Sequence, residues 1–240
     1  MKKLAIIVIA SVSYLHSVEL INGWVNLHHV IEVARPWLPQ DPVIVEAGAY
    51  NGKESCAFKH EFPLAKVYAF EPIPELYKQL ADNVRGYEGI MTFPMALSDS
   101  IGIAKMYVSS EKADMSGTAT QSSSLLAPQE HLIKSPDTVF RTVVQVPTTT
   151  LDFWSKEYAI SRVDMLWLDM QGYELPALKA SPEVLKNVKV ILTEVEFVEA
   201  YKGQYLYQDV KDWLEAQGFT LVLMYRDDWY GDALFIRMNQ

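Results

Sequence analysis

Short apolar runs alternate along the chain with segments in which apolar positions are spaced three or four residues apart. The runs predict buried parallel strands, and the spaced segments predict helices. The predicted strands lie at 43–47, 66–70, 90–94, 163–169 and 188–195. The predicted helices lie at 53–58, 74–84, 150–158, 175–179 and 206–217. This alternation is typical of a doubly wound α/β sheet with helices on both faces.

The end of the chain predicts a different connection. Two further apolar runs, at 219–225 and 233–238, are separated only by residues 226–232. So short a link joins antiparallel strands rather than parallel ones. We therefore expect seven strands in the sheet, with the last one antiparallel.

The beginning of the chain is an apolar run at 4–15, which follows a short basic start. This run is too short to span a bilayer comfortably. It fits the core of a signal peptide with Ser11-Val12-Ser13 as a cleavage site, and it fits equally well a first helix packed on the domain.

Helical spacing continues at 16–38, and Pro36 and Pro39 end it. The chain is therefore divided into an N-terminal segment at 1–40, able to act as a signal or membrane anchor, and an α/β domain at 41–240.

A long polar segment at 110–140 separates two exposed strands predicted at 103–109 and 141–147. A connection of this length is typical of a functional loop, so we interpret it as a lid or substrate loop. It contains one histidine, His131. A lone histidine is more often incidental than catalytic, but in a loop over a site it is a candidate base.

Composition and charge exclude some functions. The 240 residues are 50% hydrophobic and 21% charged, as in an ordinary globular protein. The net charge of −9 repels a nucleic-acid backbone, so we expect no nucleic-acid partner. Cys56 is the one cysteine, which excludes an internal disulfide, and no Cys/His cluster has zinc spacing.

A glycine turn follows the first predicted strand, in the pattern Glu46-x-Gly48-x-x-x-Gly52. We expect Gly48 to let the backbone approach a ligand and Gly52 to tighten the turn. The helix that follows would offer free N–H groups to an anion. Dinucleotide-binding dehydrogenases have the tighter pattern Gly-x-Gly-x-x-Gly. A strand-to-helix turn without a ligand would also need glycine.

Polar residues also follow the second and third predicted strands. Glu71 stands 23 residues beyond Gly48, where an acidic side chain can accept hydrogen bonds from ribose hydroxyls. Ser98 and Asp99 follow the third strand and are candidate contacts to the base of a nucleoside. They are equally good turn residues.

The fourth and fifth predicted strands end in acidic residues. Asp169 ends the fourth strand, and Glu174 follows five residues later, after a glycine. Glu194 and Glu196 stand at the end of the fifth and share one face of it. Because ligands of open α/β sheets bind at the carboxyl ends of the strands, these side chains are expected near the ligand.

Three stretches together resemble the FkbM family of S-adenosylmethionine (SAM)-dependent methyltransferases. They are Val-Glu-Ala-Gly-Ala-Tyr-Asn-Gly (45–52), Tyr-Ala-Phe-Glu-Pro (68–72) and Val-Asp-Met-Leu-Trp-Leu-Asp-Met-Gln-Gly-Tyr-Glu-Leu-Pro-Ala-Leu-Lys-Ala (163–180). Residues 146–152 also match the usual lead-in to the family's fourth helix. The likeness runs from about 43 to 236.

The chain departs from the family pattern at two positions. Trp167 stands where the family usually has lysine, and Gln171 stands where it often has glutamate. These departures put the details of substrate and proton contacts in doubt, but not the fold.

The resemblance implies a Rossmann-like, seven-stranded class I SAM-methyltransferase fold, with SAM as cofactor. It implies O-methylation of a hydroxyl on a small molecule or a saccharide. The alternative is a methyltransferase-like domain that has lost activity and serves as a binding module, with its export left open. Because SAM is made in the cytosol, we expect a cytoplasmic protein, with membrane attachment through 4–15 or export left open.

The resemblance also implies roles for the cofactor-binding candidates. Glu46 and the turn with Gly48, Tyr50 and Gly52 would hold the methionine part of SAM. Glu71 would accept hydrogen bonds from the ribose hydroxyls, and Ser98 and Asp99 would border the adenine.

Among the catalytic candidates, Asp169 would lie beneath the sulfonium and the acceptor hydroxyl, as base or as orienting group. Glu174 and Glu194 are second candidates, and His131 is a third. Asp169 and Glu194 could together hold Mg²⁺. No third ligand has suitable spacing, so we predict no metal.

Overall fold

An eight-stranded mixed sheet forms the centre of the computed structural model, which describes residues 18–238. The strands are β1 (Glu19–Asn22), β2 (Val43–Ala47), β3 (Lys66–Phe70), β4 (Ile90–Phe93), β5 (Ala96–Leu97), β6 (Gly102–Glu111), β7 (Thr138–Thr149), β8 (Met165–Leu168), β9 (Val190–Glu196), β10 (Phe219–Arg226) and β11 (Tyr230–Arg237). The large sheet has the order β1-β10-β11-β9-β8-β2-β3-β4, and a small sheet has the order β5-β7-β6. In the large sheet β11 runs antiparallel to both neighbours, which confirms the predicted antiparallel last strand.

Helices cover both faces of the large sheet, as predicted. They are α1 (Leu27–Ala34), α2 (Lys53–Glu61), α3 (Pro74–Val84), α4 (His131–Lys134), α5 (Leu151–Glu157), α6 (Glu174–Lys179), α7 (Pro182–Leu185) and α8 (Tyr207–Ala216), and a 3₁₀ turn (Arg35–Trp37) follows α1. Helices α1, α2 and α3 pack on one face, and α5 to α8 pack on the other.

The central strands are apolar on both faces because they lie between two layers of helices. All five residues of β2 are buried. Ile44 packs in the same cluster as Phe58 of α2, and Val45 packs on the opposite face with Trp154 of α5. This double burial explains why the strand is a continuous apolar run apart from Glu46.

The ends of the central strands are aligned. Ala47, the last residue of β2, lies opposite the last residue of β3 on one side and the last residue of β8 on the other. The residues that follow these strands, Gly48, Glu71 and Asp169, therefore stand side by side at the carboxyl edge of the sheet.

Gly48 is needed for packing within the protein. Its φ is +82°, and a Cβ at this position would lie 1.8 Å from the backbone oxygen of Asp169. The sequence predicted that the missing Cβ clears space for a ligand, whereas the structure fills that space with the end of β8. Gly52, with φ +80°, similarly faces Leu80 and Val84 of α3.

The sheet has one strand more than the predicted seven, because β1 extends its edge. This strand pairs in parallel with residues 223–226 of β10. The prediction of one continuous helix at 16–38 is therefore wrong. Helix α1 begins only at Leu27, where the side chain of Asn26 accepts a hydrogen bond from the backbone of His29. Pairing with an open sheet edge outweighs the helical spacing of residues 19–22.

The apolar run at 4–15, for which a signal peptide, a packed helix or a membrane anchor is expected, lies outside the described residues. From residue 18 to residue 238, the structure contains no helix that is long and apolar enough to cross a membrane.

The two exposed strands predicted around the long polar segment are β6 and β7, which pair antiparallel. The segment predicted as a lid or substrate loop at 110–140 folds back alongside β6. Ser124 forms a bridge with Tyr107 of β6, and Pro128 forms a bridge with Tyr201, which follows β9. The segment is thus attached to the small sheet and to the connection that follows β9.

Replacement of Gly48 by alanine should destabilise the protein more than the same replacement at a glycine with similar backbone strain. Gly203 has a φ of +78°, and a Cβ added there would have no atom within 4 Å, so Gly203→Ala is the matched control. We expect Gly203→Ala to lower the free energy of unfolding by about 1–2 kcal/mol and Gly48→Ala to lower it by about 4 kcal/mol or more. Urea unfolding measures both, and equal losses would contradict the packing role of Gly48.

Candidate functional site

A cavity of about 360 Å³ lies along the carboxyl edge of the large sheet. This volume is in the range of small-molecule sites. Six carboxyl groups belong to its lining, those of Glu46, Glu54, Glu71, Asp169, Glu194 and Asp232. Lys53 is the one lysine or arginine among the described lining residues. Such a lining attracts a ligand that carries positive charge.

The glycine turn shapes this cavity, but several of its N–H groups are already used. Those of Gly48 and Ala49 both donate to the backbone oxygen of Phe70, at 3.0 and 2.9 Å. The N–H of Lys53, the first residue of α2, donates to the side chain of Asn51 at 3.2 Å. These three groups are therefore not free for an anion, and one of them, the N–H of Lys53, belongs to the helix that was expected to offer its N–H groups.

Glu46 forms part of the buried floor of the cavity. Its carboxylate Oε2 accepts a hydrogen bond from the Ser55 hydroxyl. Burial raises the pKa of Glu46 to about 8, although the hydrogen bond from Ser55 opposes the rise. Gly48 and Tyr50 also belong to the lining, whereas Gly52 lies outside it and faces α3.

Glu71 is buried at the end of β3 and fixed by two backbone groups. The N–H of Tyr50 donates to its Oε2 at 3.0 Å, and the N–H of Ile73 donates to its Oε1 at 2.9 Å. Burial raises the pKa of Glu71 to about 7, and the two backbone hydrogen bonds oppose the rise. Because a carboxylate oxygen can accept more than one hydrogen bond, both oxygens can still accept from a ligand.

Ser98 and Asp99 lie outside the cavity lining. Ser98 is buried, and its hydroxyl donates to Asp99 Oδ1 at 3.3 Å. Asp99 is exposed and also accepts from the hydroxyl of Tyr173, at 3.2 Å. The same part of the chain reaches the cavity through the preceding apolar residues, 95–97.

One glutamine side chain joins two of the predicted catalytic carboxylates. Nε2 of Gln171 donates to Asp169 Oδ1 at 2.7 Å and to Glu194 Oε2 at 2.5 Å. Its Oε1 accepts from the Tyr201 hydroxyl at 2.7 Å. The backbone oxygen of Gln171 accepts from the hydroxyl of Ser124, so the long loop is also attached to this cluster. Asp169 and Glu194 are thereby held together at the cavity.

These carboxyl groups hold protons more tightly than ordinary ones. Burial raises the pKa of Asp169, and burial and the charge of Asp169 raise that of Glu194. Asp232 lies opposite Glu194 in the ladder of β9 and β11, and burial raises its pKa to about 7. Groups of this kind can accept a proton near neutral pH. Within residues 18–238, no group of three or more His, Cys, Asp or Glu side chains is arranged to hold a metal ion.

Two other predicted catalytic candidates lie outside the lining. The Glu174 carboxylate is buried and accepts from the backbone N–H of Met170 at 2.6 Å, which closes the turn after β8. His131 is buried at the start of α4, with its ring centroid 5.4 Å from those of Tyr201 and Trp229. Burial lowers the pKa of His131. In this structure both side chains therefore contact other parts of the fold and do not line the cavity.

Several lining residues were missed from the sequence, and four of them are important for the chemistry of the cavity. Lys53 begins α2, Tyr230 and Asp232 begin β11, and Trp24 follows β1. The start of an antiparallel last strand lies at the carboxyl edge of its parallel neighbours, so the predicted topology contained the signal for Tyr230 and Asp232. No sequence signal marked Trp24, because β1 was not predicted.

The chain is similar in sequence to known methyltransferases. The chain matches the methyltransferase FkbM domain over residues 46–221. It is 29% identical over 199 residues to the 2-O-methyltransferase NoeI of Sinorhizobium fredii (strain NBRC 101917 / NGR234), which covers 81% of this chain and 79% of that protein. It is 27% identical over 227 residues to the methyltransferase sdnD of Sordaria araneosa, which covers 83% of this chain and 86% of that protein.

Among solved structures, the METTL16 MTase domain is similar with a TM-score of 0.52 and 9% sequence identity. The superposition covers 89% of this chain and 66% of that one. At this identity the likeness concerns the fold alone.

The raised pKa of Glu46 should make the ligand-free protein less stable as the pH rises. Between about pH 4.5 and about pH 8 the folded state holds a proton on Glu46 that the unfolded state has lost. The free energy of unfolding then falls with pH, by at most about 1.4 kcal/mol per pH unit for this one group. Glu46→Gln removes this contribution. The free energy of unfolding of the variant minus that of the wild type should therefore rise as the pH is raised from 5 to 8.

Urea unfolding at four pH values measures this effect. Glu75→Gln, at an exposed glutamate of α3, is the control and should follow the wild-type dependence. If Glu46→Gln also runs parallel to the wild type, Glu46 is not protonated in the folded state at neutral pH.

Proposed function

The chain belongs to the FkbM methyltransferase family, and we propose that it transfers the methyl group of SAM to a hydroxyl group of a saccharide or another small molecule. It is a SAM-dependent methyltransferase of the class I fold. The observation that carries the proposal is one continuous cavity. This cavity joins Glu71, at the end of β3, to Asp169 and Glu194, at the ends of β8 and β9. A ribose site and a proton-accepting site therefore share one space.

The part of the cavity near β3 and β4 suits a nucleoside. Both oxygens of Glu71 keep the capacity to accept a hydrogen bond, so two neighbouring ribose hydroxyls can donate to it. Ile73, Leu76 and residues 95–97 give the adjacent lining an apolar surface, which suits a flat base.

The central part of the cavity suits the amino-acid end of the cofactor. Lys53 can bind a carboxylate, and Glu46 and Asp169 can bind an ammonium group. When bound, SAM supplies an electrophilic methyl group on a positively charged sulfur. The acidic floor favours this charge, and the charge in turn lowers the pKa of the carboxyl groups around it.

The far part of the cavity suits the acceptor. Asp169 takes up the proton of the acceptor hydroxyl on a carboxylate oxygen, as a general base. Gln171 fixes the orientation of Asp169 through Oδ1, and Glu194 shares the same amide donor. The high proton affinity of this pair favours retention of the proton after transfer.

A hydroxyl acceptor agrees with the name of one relative, a 2-O-methyltransferase. The alternative of an inactive binding module is not favoured, because Glu46, Gly48, Glu71 and Asp169 all line one cavity.

Loss of the Glu71 carboxylate should weaken cofactor binding. Hydrogen bonds to a charged group are worth about 1.5–3 kcal/mol, so we expect Glu71→Ala to lower the affinity for S-adenosylhomocysteine about 10- to 100-fold. Isothermal titration measures the affinity. Glu75→Ala, which changes an exposed glutamate outside the lining, is the control and should bind as the wild type does. Equal affinities of the two variants would contradict the ribose role of Glu71.

Replacement of Gln171 should change the pH dependence of methyl transfer to a hydroxyl. The hydrogen bond from Gln171 lowers the pKa of Asp169, so its loss in Gln171→Leu should raise that pKa. The acidic limb of the kcat/KM profile should then move up by about one pH unit. The assay uses methyl-labelled SAM with a panel of methyl pyranosides and simple alcohols, and the product should be a labelled methyl ether.

Gln145→Leu, at an exposed glutamine of β7, is the control and should keep the wild-type profile. An unchanged profile in Gln171→Leu would exclude Asp169 as the base. Label recovered only in methyl esters or methylamines would overturn hydroxyl methylation itself.

A further inference from the structure

An aromatic pair stands at the end of the cavity that is remote from Glu71. Trp24 and Tyr230 both belong to the lining, together with Asp232, Glu194 and Asp169. Along the sheet edge, Glu71 follows β3, Asp169 follows β8, and Tyr230 begins β11 two strands further on. The aromatic pair is therefore on the acceptor side of the predicted base.

These side chains lie outside the segment that the family model matches. The match to the FkbM domain covers residues 46–221, so Trp24, Tyr230 and Asp232 all lie outside it. Trp24 is brought to the cavity by β1, the strand that extends the sheet beyond seven. The N–H of Gly23 donates to the backbone oxygen of Arg226 at 3.1 Å, which fixes the chain just before Trp24.

We propose that Trp24 and Tyr230 form a stacking subsite for the pyranose ring of a saccharide acceptor. This inference rests on the proposed function, since it names the acceptor class and the residues that select it.

Trp24 is unusually exposed for a tryptophan, which leaves its ring accessible to a ligand. The residue is 80% exposed although it lines a cavity. Its ring meets that of Tyr230 edge to face, with centroids 6.2 Å apart and planes at 70°. Trp229 in turn packs on Tyr230 with centroids 4.9 Å apart. The ring of Trp24 thus contacts Tyr230 at one side, while most of its surface remains open to a ligand.

The groups around the aromatic pair match the two kinds of surface that a pyranose ring presents. The face of a pyranose ring carries C–H groups with partial positive charge, and the face of an aromatic ring is negative. The edge of the sugar carries hydroxyls, which donate to carboxylates in strong hydrogen bonds. Asp232, Glu194 and Asp169 supply such carboxylates in the same cavity. A stacking ring beside several acceptors is the combination that a polyhydroxylated ring needs.

The charge of the cavity limits the chemical class of the acceptor further. Six carboxyl groups and one lysine line it, and the charge of bound SAM lowers the pKa of the carboxyl groups around it, so an acceptor that bears a carboxylate or a phosphate is repelled. A neutral pyranose is therefore preferred over an acidic one. A flat phenol would use the aromatic pair but would leave most of the carboxylates without a donor.

The test compares three variants with methyl pyranosides as acceptors at saturating SAM. Trp24→Ala should raise the KM for a neutral methyl pyranoside about ten-fold and leave kcat within about two-fold, because stacking acts on binding. Trp24→Phe, which keeps a ring, should recover most of the loss. Phe153→Ala, at an exposed aromatic residue of α5 outside the lining, is the matched control and should keep the wild-type KM.

Two further measurements separate a binding role from a structural one. Trp24→Ala should keep the wild-type affinity for S-adenosylhomocysteine and a melting temperature similar to that of Phe153→Ala. A joint fall of melting temperature, cofactor affinity and kcat would show that Trp24 only supports the fold, and would overturn the subsite.

The acceptor panel separates failure of this inference from failure of the proposed function. Methylation of neutral pyranosides with the same KM in Trp24→Ala and Phe153→Ala would overturn the subsite and leave the proposed function intact. A preference for methyl glucuronide or for a simple phenol over neutral pyranosides would likewise overturn it. No methyl ether from any hydroxyl in the panel, despite binding of S-adenosylhomocysteine, would overturn both.

Discussion

The contact between Gly48 and the backbone of Asp169 sets the geometry on which the site depends. Strand β2 is hydrogen-bonded to β3 on one side and to β8 on the other, with the three ends in register. A side chain at position 48 would overlap the Asp169 carbonyl at 1.8 Å and push β8 away. Glu46, Glu71 and Asp169 line one cavity because this contact is so close. The glycine motif therefore acts on the ligand indirectly, through the spacing of two strands.

The cavity floor concentrates carboxyl groups at some expense of stability. Removing them from water and placing them near each other raises their pKa values, to about 8 for Glu46 and about 7 for Glu71 and Asp232. Ser55 and Gln171 compensate in part by donating hydrogen bonds to Glu46, Asp169 and Glu194. In the proposed function, the positively charged sulfur of the cofactor offsets part of the remaining cost when it binds. The same groups then cause a pH-dependent stability and take part in the proposed recognition of the cofactor.

Strands at both ends of the described part of the chain contribute to this site. The matched region begins within β2 and ends within β10, so β1 and β11 lie outside it. Strand β11 is inserted between β9 and β10 and brings Tyr230 and Asp232 to the carboxyl edge. Strand β1 then adds Trp24 beside them. Strands β1 and β11 thus bring Trp24, Tyr230 and Asp232 to the lining, beside the carboxyl groups of Glu46, Glu71 and Asp169.

Local patterns in the sequence determined much of the fold. The bounds predicted for the strands at 43–47 and 66–70 and for the helix at 74–84 agree with the structure, because burial on both faces and a proline at the first turn of a helix leave signals within the segment itself. The alternation of strands and helices also placed Glu71, Asp169 and Glu194 at one edge. Only the tertiary structure decided what each of these residues contacts. The pairing of β1 with β10, the bridge from Gln171 to two carboxylates, and the position of Trp24 all depend on segments that are distant in sequence, and such contacts leave no periodic signal in the chain.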